Sequence, residues 1–134
     1  MGHLHRLIAF DLDGTLIDSR RDLADSANAL ITELGGTPLS EEAIGTMVGE
    51  GAALLVRRAV QRAGLRIPDL AGALRRFLEI YDERLLHHTR LYGGMADVVR
   101  RARRAARVTV LTNKPVKPSE RILEGLGVRE LFDE

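Results

Sequence analysis

The chain has 134 residues, 45% hydrophobic and 29% charged, with a formal net charge of +1 and no cysteine. That is the length and composition of one ordinary globular domain, and it excludes disulfides, thiolate metal sites and cysteine nucleophiles. The charge balance gives no pull toward nucleic acid or an anionic membrane. No apolar run approaches the ~20 residues of a membrane span and no signal-peptide core is evident, so a cytoplasmic location is expected.

The first element is the apolar run Leu7–Phe10, read as a short buried strand that stops abruptly at Asp11-Leu12-Asp13-Gly14. Ligands of open α/β sheets bind at the carboxyl ends of strands, which is where these acids fall. Side chains two apart on extended backbone point the same way, so Asp11 and Asp13 can face one reaction centre. Gly14 permits a sharp turn and close approach of the backbone to a ligand. Two neighbouring carboxylates repel unless a cation or a proton is shared, and Mg²⁺, a hard oxygen-binding ion, answers that need. An acidic turn without chemistry is one competing reading. A calcium loop is another, and it fails because its glycine and glutamate positions hold Leu16 and Asp22.

Four amphipathic helices are expected next, with no strand among them. Asp18 or Ser19 caps the first, whose face is Leu23, Ala27, Leu30, Ile31 and Leu34, and Gly35-Gly36 ends it. Ser40-Glu41-Glu42 opens a short second helix, and a third runs from about Ala52 to Gln61 after the Gly49-Glu50-Gly51 break. Asp69 caps the longest, with a stripe of Leu70, Leu74, Phe77, Leu78, Tyr81 and Leu85. The loops Leu16–Ser19 and His88–Gly94 would be the joints. The pair His87-His88 reads as a solvated helix end, since adjacent histidines face different sides of a helix.

The α/β pattern then returns. Met95–Ala105 is a helix with Val98, Val99 and Ala102 inward, and the basic run Arg100, Arg101, Arg103, Arg104 and Arg107 reads as a solvated face. Val108–Leu111 is a second buried strand, followed by Thr112-Asn113-Lys114, and Ser119 caps a last helix. If the two strands are parallel neighbours, a hydroxyl, an amide and an ammonium stand beside the two aspartates. Those are the donors and the positive charge that a bound phosphate wants.

The string Phe-Asp-Leu-Asp-Gly-Thr-Leu-Ile-Asp-Ser, the helical insertion and Val-Leu-Thr-Asn-Lys-Pro together resemble the haloacid dehalogenase-like hydrolases, in their phosphoglycolate phosphatase-like branch. The turn Met47–Gly51 and the exit Leu91–Met95 are similar to that branch as well. The resemblance implies an α/β fold: a Rossmann-like parallel-sheet core (1–17 and 89–134, incomplete) with an inserted four-helix cap (18–88). It implies a Mg²⁺-dependent phosphatase of small phosphorylated metabolites. Asp11 would be the nucleophile and Asp13 the acid and base, both holding Mg²⁺. Thr112, Asn113 and Lys114, with the backbone of Leu12 and Gly14, would bind the phosphoryl group. Glu50, Arg57 and Arg58 are candidate substrate-facing residues of the cap. Asp13 argues for phosphoryl transfer, because the dehalogenases proper lack it.

The family's third-motif lysine and fourth-motif acidic pair are not in this sequence. Their absence implies a rate lower by several powers of ten and an uncovered strand edge through which the chain would self-associate. A sugar-phosphate mutase of the same superfamily, or a non-catalytic binding module, are the alternative readings.

Overall fold

A computed structural model describes residues 6–133. The chain divides into two compact units. Of the described residues, one holds 6–18 and 90–133, the other Ser19–Thr89.

The first unit is α/β. Strand β1 (Leu7–Phe10) pairs in parallel with β4 (Arg107–Val110), in the register Leu7↔Arg107 to Phe10↔Val110. The ladder runs one bond further, where the Leu111 amide donates to the Phe10 carbonyl at 2.9 Å. Helix α5 (Met95–Arg103) packs on β4, and α6 (Val116–Gly125) leads into a 3₁₀ turn at Arg129–Leu131. Leu12, Leu16, Ile17, Val99, Val108, Ile122 and Phe132 form its core. A two-residue antiparallel ladder, β2 (Ile17–Asp18) with β3 (Arg90–Leu91), joins the segments expected to be plain loops. The Tyr92 amide extends it by donating to the Leu16 carbonyl at 3.0 Å.

Several expectations are corrected here. Of the expected buried strand Val108–Leu111 only Val108 is buried, since the strand covers Arg107–Val110 and Leu111, beyond it, is 72% exposed. Leu7–Phe10 is a strand but not a buried one: Leu7 is 66% and Ile8 37% exposed, and only Phe10 is part-covered, its ring edge-on to Phe132. Among the described residues β1 has a single strand neighbour, so its apolar sequence does not bring burial. Val98 is exposed, 43%, while Val99 takes the inward position of α5, because consecutive helical residues point about 100° apart. Ser119 does not cap α6. The helix starts earlier, at Val116 after Pro115, and the Ser119 hydroxyl donates to the Pro115 carbonyl at 2.8 Å. Pro118 fits inside that first turn because its missing N–H would have had no intrahelical acceptor.

The second unit is all helix: α1 (Arg20–Glu33), α2 (Glu41–Gly45), α3 (Ala52–Arg62) and α4 (Leu70–Arg84). Leu23, Ala27, Leu30 and Ile31 of α1 are buried against α2, α3 and α4, with Phe77 wholly enclosed and stacked on Tyr81. Leu34 stays half-covered. The expected caps at Ser40 and Asp69 are made, their side chains accepting the amides of Ala43 at 3.0 Å and Gly72 at 2.9 Å. Ser19 takes the N-cap position of α1 without a side-chain capping bond.

One contact within this unit has no counterpart in the sequence pattern. The Asp22 carboxylate, 1% exposed, accepts the amides of His88 and Thr89 and the Thr89 hydroxyl, at 2.7–3.1 Å. It ties the start of α1 to the end of the unit.

Candidate active site

Parallel pairing of β1 with β4 fixes the geometry of the site. Both strands end at the same rim of the sheet, so Asp11-Leu12-Asp13 and Thr112-Asn113-Lys114 emerge side by side. Leu12 is fully buried between the two aspartates; Asp11 is exposed and Asp13 half-buried. The alternation arises in the turn that follows β1, which ends at Phe10.

The first loop is closed by its own backbone. The amides of Thr15, Leu16 and Ile17 converge on the Leu12 carbonyl at 3.0–3.3 Å, and the Gly14 amide donates to Ile17 at 2.9 Å. Gly14 sits at φ +83, a left-handed conformation natural to glycine. Two of the expected phosphate donors are therefore already engaged. The Leu12 amide donates to Asp11 Oδ1 at 2.8 Å and the Gly14 amide closes the turn, because each N–H in a tight loop needs an acceptor.

The second loop meets the first directly. Lys114 Nζ lies 3.4 Å from Asp13 Oδ2, their side chains only 6% and 12% exposed. Burial lowers the Lys114 pKa from its ordinary value, and the Asp13 charge and hydrogen bond pull it back up. The protein thus places a cationic side chain of its own beside Asp13. The Lys114 amide donates to Thr112 Oγ1 at 3.1 Å, leaving the threonine hydroxyl proton for an outside acceptor. Asn113 is exposed at the same turn.

Of the cap candidates, Glu50 comes together with Arg58 but not with Arg57. Arg58 pairs with Glu50 at 2.6 Å, and both line a cleft of about 890 Å³ with Thr46, Met47 and Arg62. Arg57 turns to another side of α3, lining a cleft of about 410 Å³ with Leu65, Arg66 and Ile67. Neighbouring positions on a helix do not share a face.

Asp11, exposed and accepting the Leu12 amide, offers an oxygen nucleophile or a hard metal ligand. Asp13, paired with an ammonium, is placed to exchange a proton.

Comparison with known proteins agrees with this geometry. A family model for haloacid dehalogenase-like hydrolases matches residues 5–134. A phosphoglycolate phosphatase of Chromobacterium violaceum is 39% identical over 131 residues, 95% of this chain and 59% of that protein. One from Rhodospirillum rubrum is 41% identical over 132 residues, 93% of this chain and 55% of that protein. A crystal structure described as a predicted phosphoglycolate phosphatase from Haemophilus somnus superposes with a TM-score of 0.89 at 34% identity, covering 97% of this chain and 61% of that one. The chain thus spans a little over half the length of the curated relatives it matches. With a match that runs from the first strand through both loops of the rim, the chain belongs to the haloacid dehalogenase-like hydrolases.

Proposed function

We propose that this chain carries the nucleophile half of a phosphatase that hydrolyses small phosphate monoesters of the phosphoglycolate kind. The relatives' names give the substrate class, and the Lys114–Asp13 contact is the observation that carries the reading. It brings the loops after β1 and β4 to one point, so that a phosphoryl group can touch both.

In this reading an Asp11 carboxylate oxygen attacks phosphorus, the bond to the substrate oxygen breaks, and an aspartyl-phosphate forms on Asp11. Asp13 passes to the departing alkoxide the proton it shares with the Lys114 ammonium. It then takes a proton from the water that attacks the aspartyl-phosphate, releasing phosphate and restoring Asp11. The Thr112 hydroxyl and the Asn113 amide bind the phosphoryl oxygens. Lys114 holds Asp13 in place and supplies positive charge close to the phosphoryl group. The donors offered by Asp11 and the backbone beside it are hard oxygens, which fit Mg²⁺, whereas the Asp13 carboxylate is already matched by Lys114. When bound there, Mg²⁺ would offset the repulsion between a carboxylate and a phosphate dianion.

The test is release of inorganic phosphate from phosphoglycolate by this chain with Mg²⁺, run against Asp11→Asn. Release that disappears in the variant supports the reading. Equal background in both would leave a binding module in place of an enzyme.

A further inference from the structure

The helical unit holds a second group of metal-ligating side chains, unconnected with the acidic loop. Asp22 and Asp25, three residues apart on α1, and His88 present one ligand atom each, all within 4.8 Å of one another. We propose that these three residues form a binding site for a divalent transition cation of the zinc type.

The argument begins with Asp22. This carboxylate is buried, and every hydrogen bond it accepts comes from a neutral donor: the amides of His88 and Thr89 and the Thr89 hydroxyl. No arginine or lysine side chain pairs with it among the described residues. Asp25 adds a second negative charge on the same helix face and makes no ion pair among the described residues. Two adjacent carboxylates without a cation repel, the more strongly as one is withdrawn from water.

The bonds on Asp22 are also unevenly shared. Oδ2 takes three, at 2.7–2.9 Å, while Oδ1 has only a share of the His88 amide at 3.1 Å. An acceptor direction remains on Oδ1. The clamp on the His88 backbone holds that residue beside the two acids, while Asp25 and the histidine stay exposed and open to solvent. An imidazole nitrogen with two carboxylate oxygens, and water free to fill the remaining positions, suits zinc or its first-row neighbours. Mg²⁺ has less use for a nitrogen ligand.

The experiment is calorimetric titration of the full chain with Zn²⁺ in excess Mg²⁺, added to compete for the acidic loop of the first unit. His88→Ala, Asp25→Asn and His87→Ala serve as variants, and the three positions are exposed, so the fold tolerates the changes. Wild type should show one saturable site and a thermal midpoint raised by Zn²⁺. His88→Ala and Asp25→Asn should each weaken binding by about tenfold or more and abolish the rise, while His87→Ala keeps both. Failure of wild type to saturate, binding unchanged in His88→Ala, or an equal loss in His87→Ala would each overturn the proposal. The last two outcomes would leave the histidine as nothing more than a counter-charge or a surface contact.

Discussion

Lys114 Nζ lies 3.4 Å from Asp13 Oδ2, and the two side chains are almost wholly withdrawn from solvent. Burial of an ammonium is unfavourable, and here it lowers the Lys114 pKa, with Asp13 only partly opposing the shift. The unfolded chain, with an ordinary lysine, therefore binds more protons than the folded one in the interval below ~10.5. Stability contributed at this position should rise as pH climbs through that interval. Lys114→Met should remove the rise, seen as urea midpoints that climb with pH in wild type relative to the variant. Turnover should fall about 10- to 100-fold in Lys114→Met, since Asp13 loses the charge that positions it. Parallel pH profiles for the two proteins would show that the Lys114 ammonium is not withdrawn from water.

Thr112 gives a sharper test of the phosphate site. Its oxygen already accepts the Lys114 amide, so the hydroxyl has one donor bond to give. Thr112→Val loses both interactions and should weaken competitive inhibition by inorganic phosphate by about tenfold, the worth of one or two hydrogen bonds to an anion. Thr112→Ser should restore most of it. Identical inhibition constants for the valine and serine variants would remove Thr112 from the site.

Gly14 separates backbone strain from steric clash. A Cβ there would meet nothing within 4 Å, yet φ is +83. Gly14→Ala should therefore cost about 1–2 kcal/mol by strain alone, and Gly14→Asn less, because asparagine visits the left-handed region more readily. Urea unfolding of both variants decides it; a larger loss for asparagine would mean that space, not dihedral angle, limits this position.

Asn28 staples a loop to a helix. Its amide nitrogen donates to the Leu39 carbonyl at 2.7 Å and its oxygen accepts the Leu39 amide at 2.8 Å. Asn28→Ala leaves both Leu39 groups without that partner and should cost about 1–3 kcal/mol. A loss well below that range, read from thermal or urea unfolding, would mean water replaces the side chain easily.

The two catalytic-type loops were legible because their chemistry is concentrated. Asp11, Asp13 and Gly14 are adjacent, and Thr112–Lys114 directly follow an apolar run. The four helices were legible because a 3.6-residue apolar period survives over a dozen positions in α1 and α4. What escaped depends on distance along the chain. The ladder of Ile17–Asp18 with Arg90–Leu91 is too short to leave a pattern. The contacts of Asn28 with Leu39 and of Asp22 with Thr89 are single polar side chains reaching residues far along the sequence. Lys114 reads in the sequence as a phosphate ligand, and its contact with Asp13 follows only once β1 and β4 are paired in register. Burial of β1 was inferred from apolarity alone, which says what a strand can tolerate but not what covers it.

Asp22 is where the helical unit should be most sensitive to a change of one atom. Its carboxylate accepts two amides and a hydroxyl, and Asn in its place keeps the shape but turns one acceptor into a donor aimed at donors. With EDTA present to exclude any bound cation, Asp22→Asn should lose about 2–3 kcal/mol, the cost of charge-assisted bonds replaced by a mismatch. Thr89→Val removes only the hydroxyl bond and should lose about 1–2 kcal/mol. Because both residues act on the same contact, the double variant should lose less than the sum of the two. Strict additivity in urea unfolding would mean that the carboxylate and the hydroxyl are stabilised independently, and that Asp22 does not bind the two ends of the unit as one contact.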